Sequence, residues 1–141
     1  MPPSSRPDRN LGMTRPFLLY CPTFHNDLAC EAFSPERLFD VALHDFSGDV
    51  YSGDLRAEFR FCGKMHKWPA ISVHISQLLR EYEYFAFLDN DIEITTRELN
   101  HLFLLGRQHE LDLYQASLTD DSYGTYPELF RKPCIDAGVR S

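Results

Sequence analysis

A continuous apolar run that ends in two carboxylates constrains this chain more than any other feature. Residues 84–88 read YFAFL and are followed at once by Asp89, Asn90 and Asp91, with Glu93 close behind. Short, unbroken runs of aromatic and aliphatic residues are typical of buried strands, whereas Asp and Asn are typical of turns. The sequence therefore predicts a strand that delivers two acidic side chains to one point.

Strand and helix patterns alternate along the rest of the chain. An apolar run at residues 17–21 and an apolar segment that begins at residue 39 and ends in Asp45 predict two earlier strands. Residues 50–66 are interpreted mainly as loop. Helical spacing of apolar residues covers 67–82, Thr95 and Glu98 have the spacing of a capping box, and shorter patterns predict a helix at 29–33 and a strand at 111–118. This order predicts an α/β fold with a mostly parallel sheet flanked by helices.

Acidic residues follow more than one of these strands. Asp45 ends the second predicted strand, and Asp89 and Asp91 lie just past the strand at 84–88. In open parallel sheets, the loops at the carboxyl ends of the strands form the ligand crevice. The placement of these three residues therefore favours a binding site.

Composition narrows the class of ligand. The 141 residues are 43% hydrophobic, which allows one ordinary domain with a real core, and the formal net charge is −7. A negative chain is a poor match to nucleic acid, which requires a basic surface, but a local cation can still hold a nucleotide. Residues 1–15, rich in Ser, Pro and Arg, predict a disordered tail before a single domain at 16–141.

Other patterns indicate the compartment. No apolar run reaches the roughly 20 residues that span a bilayer, and the amino terminus lacks the apolar core of a signal peptide. The cysteines show no C-x-x-C pair and the histidines no zinc motif, so we expect free thiols and a cytoplasmic protein; the cysteines are Cys21, Cys30, Cys62 and Cys134.

Four interpretations of the acidic turn are open. An ordinary strand-to-helix turn explains Asp89 and Asp91 without any function. A calcium loop is disfavoured because Ile94 stands where the turn needs Gly and Asn100 where a bidentate carboxylate is needed. A phosphoenzyme of the haloacid-dehalogenase type is disfavoured by Glu93 and by the late position of the pair in the chain. The fourth interpretation is a metal site for a diphosphate, in which a hard divalent cation on one or two carboxylates neutralises the leaving group.

The stretch YFAFLDNDIEI, with LYQASLTDDSY downstream, resembles the GT-A class of nucleotide-diphospho-sugar glycosyltransferases. This resemblance implies a Rossmann-like GT-A fold and a metal-dependent enzyme that transfers a sugar from a nucleoside diphosphate to an acceptor hydroxyl, with Mn or Mg as cofactor. It implies that Asp89 lies near the ribose or the metal and that Asp91 binds the metal directly. The remaining site residues that it implies are Thr23, His25 and Asn26 facing the nucleotide, Asp45 near the base or ribose, and Gln115, Ser117 and Ser122 near the sugar or acceptor.

The chain also departs from that pattern. Asn90 stands in place of the middle acid and Ala116 in place of a proline. The sequence ends at Ser141, before the acceptor-binding half, so we expect a fold truncated at its carboxyl end and a general base beyond Ser141. Lys64 and Lys67 could contact phosphate, but we expect them to be solvated surface residues. The alternative function is a degenerate, non-catalytic binding domain of the same fold.

Overall fold

The fold was determined as a computed structural model, which describes residues 15–25, 27–48, 54 and 56–116. Four strands that all pair in parallel form one sheet in the order β3-β2-β1-β4. The predicted α/β fold with a parallel sheet is thereby confirmed. The elements are β1 (Phe17–Thr23), β2 (Phe39–Asp45), β3 (Phe59–Cys62), α1 (Lys67–Ile75), β4 (Tyr84–Phe87) and α2 (Thr96–Gln108).

The two inner strands are covered on both faces. Six of the seven residues of β1 and all seven of β2 are buried, and successive side chains of each strand enter opposite faces of the sheet. The buried residues of β2 include the polar side chains of Asp40, His44 and Asp45. Phe17, Leu19 and Cys21 belong to one core cluster, whereas Leu18 and Tyr20 belong to the other. The sheet therefore separates two apolar layers.

Helix α1 packs on one of these layers. Ile71 and Ile75 are buried against Leu18 and Tyr20 of β1. Trp68 shares the helical spacing of these apolar residues, which favours packing on the sheet, but its side chain is 67% exposed. Regular helix also ends at Ile75, seven residues earlier than predicted, and turns follow from 76 to 81.

Helix α2 begins at the capping box that the sequence predicts. The Thr95 hydroxyl accepts the Glu98 N–H at 3.1 Å, and the Glu98 carboxylate accepts the Thr95 N–H at 2.9 Å. This reciprocal pair satisfies two of the N–H groups that a helix start leaves free. Leu99 and Phe103 then lie in the core layer opposite α1, where Phe103 stacks on Phe17 with 4.8 Å between ring centroids.

Three local predictions were wrong. Residues 29–33 are not helical, because the N–H groups of Ala29 and Glu31 donate to the carbonyls of Asn90 and Ile94, both at 2.8 Å. Strand β3 lies inside the stretch interpreted as loop, since pairing with the end of β2 stabilises a segment of only four residues. Residues 111–116 form no strand, and 117–118 lie outside the described residues.

The chain divides into two compact units, one up to Phe103 and one from Leu104 onward. In the second unit, α2 ends with Leu111 N–H donating to the Gly106 carbonyl at 3.0 Å and with Glu110 at a φ of 51°. A Cβ atom at Gly106 would overlap the Tyr114 ring, which explains a glycine inside a helix despite its propensity cost of about 1 kcal/mol. Neither helix of the described part is long and apolar enough to cross a bilayer.

A charged network joins the amino ends of the strands. Glu58, just before β3, accepts the Val41 N–H at 2.7 Å and hydrogen bonds from Arg37, the shorter of them 2.7 Å. Arg15 contacts both Glu58, at 3.3 Å, and the buried Asp40, at 3.0 Å. Residues 1–14 of the predicted tail lie outside the described residues, whereas Arg15, which that prediction placed in the tail, is held by these two carboxylates.

We expect Glu58→Gln to lower the free energy of unfolding by about 2 kcal/mol. The amide still accepts the Val41 N–H, but Arg15 and Arg37 lose the charge that they face, and the Glu58 side chain is only 12% exposed. Urea unfolding at pH 7 measures this difference. The control is Glu36→Gln, an exposed substitution expected to change stability by less than about 0.5 kcal/mol; equal midpoints for the two variants would show that the network does not stabilise the fold.

Candidate functional site

The candidate site lies at the carboxyl end of β1, where the strand order of the sheet reverses. The chain passes from β1 to β2 to β3 in one direction across the sheet, and β4 then pairs with the opposite edge of β1. The strand order therefore reverses at β1, and such a reversal is the switch point where open α/β sheets bind ligands. Thr23 ends β1, and Asp89 follows β4 by two residues.

The acidic turn is fixed through its backbone. Leu88 N–H donates to the Tyr20 carbonyl at 3.0 Å, which extends the pairing of β4 with β1. The Asn90 carbonyl accepts the Ala29 N–H, so the main chain of the turn is tied to the segment that follows β1. Both acidic side chains remain accessible: Asp91 is exposed and the Asp89 side chain is 51% exposed. The arrangement holds two carboxylates in place while leaving them open to a ligand.

Lys67 is a member of this site that the sequence prediction missed. Its ammonium donates to Asp89 Oδ1 at 2.6 Å, although both lysines of this region were expected to be solvated surface residues. The signal was present in the chain, because Lys67 is the first residue of the helix that follows the carboxyl end of β3. Residues in that position lie at the ligand-binding edge of a parallel sheet.

A second group of predicted site residues meets at the ends of β1 and β2. Thr23 and Asp45 are register partners, and Asp45 Oδ1 accepts the N–H groups of Ser47, at 3.0 Å, and His25, at 3.4 Å. His25 has a φ of 52°, in the left-handed region that non-glycine residues rarely adopt. Burial would raise the pKa of Asp45, but hydrogen bonds from Ser47 and His25 outweigh it and hold the pKa below its ordinary value.

Two polar atoms of this second group have unused hydrogen-bonding capacity. Thr23 Oγ1 and Asp45 Oδ2 are buried and have no hydrogen-bond partner in the part of the chain that the structure describes. Buried groups of this kind are rare in folded proteins and commonly mark water or ligand positions. The group is therefore suited to a ligand with hydroxyl or amide donors.

The donor set limits how a cation could bind. Among the described residues there is no cluster of three or more His, Cys, Asp or Glu side chains that could hold a metal ion. Asp89 and Asp91 together offer at most two carboxylate ligands, and one oxygen of Asp89 already contacts Lys67. Mg²⁺ is commonly bound by one or two carboxylates together with waters and substrate phosphates. The pair thus fits a cation that arrives with a phosphate ligand.

The remaining predicted site residues belong to the second unit or lie outside the description. Gln115 is an exposed residue of the second unit. Asn26, Ser117 and Ser122 lie outside the described residues, so their roles stay predictions.

The predicted free thiols are confirmed for the three cysteines that are described. Cys21 and Cys30 are buried, whereas Cys62 is exposed. The hydrogen bond with Cys30, together with burial, raises the pKa of the Cys21 thiol well above its ordinary value. Cys21 is therefore a protonated core residue, which suits packing behind the site better than nucleophilic chemistry.

Two buried histidines lie beneath the site on the α1 face. His74 Nδ1 hydrogen-bonds the Tyr20 hydroxyl at 2.8 Å, and His44 Nε2 donates to the Gly63 carbonyl at 2.8 Å. Phe61 stacks on His74 with ring centroids 3.7 Å apart. Burial, followed by the proximity of His44, lowers the pKa of His74 to about 4, and burial also lowers the pKa of His44. Both rings are neutral at pH 7.

We expect acidification to destabilise the fold through these histidines. Below the unfolded-state pKa of about 6.5, the unfolded chain binds protons that the folded chain does not, so stability falls as the pH drops from about 6.5 towards 4. For His74 the loss between pH 7 and pH 5 is about 2 kcal/mol. Urea unfolding at both pH values should show a smaller loss in His74→Gln, which keeps a partner for Tyr20; an unchanged loss would contradict a neutral, buried His74.

Comparison with known proteins identifies no relative of the chain. No family model, curated protein or solved structure matches it. The resemblance to GT-A glycosyltransferases therefore stays a prediction that rests on the residues quoted above. The functional proposal depends on the geometry at the carboxyl ends of β1, β2 and β4.

Proposed function

We propose that this chain is the donor-binding region of a metal-dependent glycosyltransferase. It binds a nucleoside-diphosphate sugar through a divalent cation, Mg²⁺ or Mn²⁺, on Asp89 and Asp91. The observation that carries the proposal is the position of these two accessible carboxylates at the switch point between β1 and β4. Ligands of open parallel sheets bind at that point, so the position of the pair favours a binding site over an ordinary turn.

In this proposal, a separate pair of residues, Thr23 and Asp45, binds the nucleoside. Asp45 and Thr23 lie at the ends of β2 and β1, on the β2 side of the crevice, and each has a buried oxygen without a partner in the described ranges. An ionised carboxylate accepts strong hydrogen bonds from ribose hydroxyls or from base N–H groups. The acidic turn follows β4, the neighbour of β1 on its other side. A nucleoside diphosphate can then extend across the end of β1 from one group to the other.

The chemistry of transfer requires charge neutralisation more than covalent help. As the glycosidic bond to the diphosphate breaks, negative charge develops on the leaving phosphate oxygens, and a bound divalent cation offsets this charge as a Lewis acid. Asp89 and Asp91 hold and orient the donor at the crevice, and Asp45 fixes its nucleoside.

The alternative, a non-catalytic binding domain of the same fold, is favoured by one observation. Lys67 already pairs with Asp89, so a cation must compete with an ammonium for one of the two carboxylates. If the pair serves only to hold the turn, the domain binds no donor. Hydrolysis of uridine or guanosine diphosphate sugars in the presence of Mn²⁺ separates the two functions, because transfer to water needs a bound donor but no further acceptor.

The proposal predicts stabilisation by nucleoside diphosphates that depends on the cation. When the free ligand concentration is about a hundred times the dissociation constant, binding adds about 2.7 kcal/mol to the free energy of unfolding. This corresponds to a rise in melting temperature of roughly 5–10 °C for a domain of this size. Uridine and guanosine diphosphates are tested with and without Mn²⁺. Asp91→Asn should abolish most of the shift because it removes the accessible metal ligand.

The control is Asp112→Asn, which removes an exposed carboxylate of the second unit and should leave the shift intact. Equal shifts in Asp91→Asn and in the unmodified chain would contradict the assignment of the site. If no nucleotide stabilises the unmodified chain with Mn²⁺ present, the donor-binding function fails altogether.

A further inference from the structure

The ammonium of Lys67 lies between two very different neighbours. It is 2.6 Å from Asp89 Oδ1 and 5.2 Å from the centroid of the Trp68 ring. The side chain of Lys67 is 37% exposed and that of Asp89 is 51% exposed. Ion pairs with this exposure are weak because water screens them and the long lysine side chain loses freedom. The ammonium can therefore leave Asp89 without loss of the fold.

The charge at the turn changes sign when a divalent cation binds. Asp89, Asp91 and Lys67 together carry one net negative charge, which repels a diphosphate. A divalent cation on the two carboxylates gives the same group one net positive charge and also takes over the carboxylate oxygen that Lys67 contacts. The released ammonium then repels the cation but attracts phosphate oxygens.

We propose that Lys67 is an exchangeable counter-ion: it occupies Asp89 while no cation is present and contacts the diphosphate once a divalent cation has taken its place. This inference rests on the proposed function and adds a rule of binding order to it. Phosphate binds only together with the cation, because Lys67 is engaged by Asp89 until then. Lys67 is a binding residue for phosphate in this scheme.

The start of α1 supports such a phosphate contact. Lys67 is its first residue, its cap residue His66 makes no side-chain hydrogen bond to the helix, and no acidic residue lies in the first turn. The N–H groups at a helix start favour negative charge. A phosphate bound to the Lys67 ammonium therefore approaches the positive end of the α1 dipole. No acidic side chain in the first turn of α1 offsets that positive charge.

Lys67→Met separates the two roles of the ammonium, because methionine keeps an unbranched, apolar stem of similar length. We expect Mg²⁺ alone to bind this variant about three- to tenfold more tightly than the unmodified chain, since its competitor is gone. The affinity for inorganic pyrophosphate in saturating Mg²⁺ should instead fall about tenfold. Isothermal titration calorimetry on the full chain measures both constants, and pyrophosphate avoids any contribution of the nucleoside group.

Trp68 supplies a second readout, because it is the single tryptophan of the chain. Mg²⁺ should change its fluorescence in the unmodified chain as the ammonium moves relative to the indole, and should not change it in Lys67→Met. Lys67→Arg, which keeps the charge, should retain most of the affinity for pyrophosphate. Lys64→Met is the matched control: it removes an exposed lysine from the loop before α1 and should leave both constants within twofold.

Opposite changes of the two affinities in Lys67→Met support the exchange. Changes in the same direction, or no change in either, overturn it, because a structural or solvated lysine would give those results. If uridine or guanosine diphosphate with Mg²⁺ binds equally well to both chains, only this inference is overturned. If the unmodified chain binds neither Mg²⁺ nor a nucleotide, the proposed function fails and this inference fails with it.

Discussion

The burial of β1 on both faces is the constraint on which the rest of the structure depends. This strand pairs with β2 on one side and β4 on the other, and a separate apolar layer covers each of its faces. Because both edges and both faces of β1 are occupied, a ligand can reach this strand only at its ends. At its carboxyl end, the strand order reverses between β1 and β4, and the turn after β4 leaves the side chains of Asp89 and Asp91 accessible. The site is thus a consequence of how the sheet satisfies the hydrogen bonds of its central strand.

Sequence patterns predicted those parts of the fold that local chemistry decides. The apolar segments of β1, β2 and β4 identify these three strands, of which β4 is only partly buried. The capping box of α2 fixes the start of that helix through two short contacts. The sequence patterns gave wrong predictions where contacts with residues far away in the chain determine the local structure. The local sequence around Ala29 and Glu31 is typical of a helix. Their N–H groups instead donate to the carbonyls of Asn90 and Ile94, which keeps the segment non-helical. Strand β3 is too short to be recognised without the end of β2 beside it.

The same division applies to the candidate site. Asp45, Asp89 and Asp91 could be placed from the sequence because each follows a recognisable strand, and parallel strands bring their carboxyl ends to one edge. The contact of Lys67 with Asp89 could not be predicted from the sequence, because it depends on how α1 packs on the sheet. Lys67 precedes Asp89 by 22 residues in the chain. Trp68 gave the opposite error: its helical spacing suggests a core residue, yet it lies exposed beside Lys67 at the start of the helix.

The central claim is that a divalent cation and a diphosphate meet at the acidic turn after β4. The most direct measurement is the anomalous diffraction of crystals grown with Mn²⁺ and uridine diphosphate. We expect a manganese peak about 2.2 Å from a carboxylate oxygen of Asp91, phosphate oxygens on the same ion, and the Lys67 ammonium displaced from Asp89. A nucleotide bound away from the ends of β1 and β4, or no manganese at the turn with the Lys67–Asp89 pair intact, would contradict it.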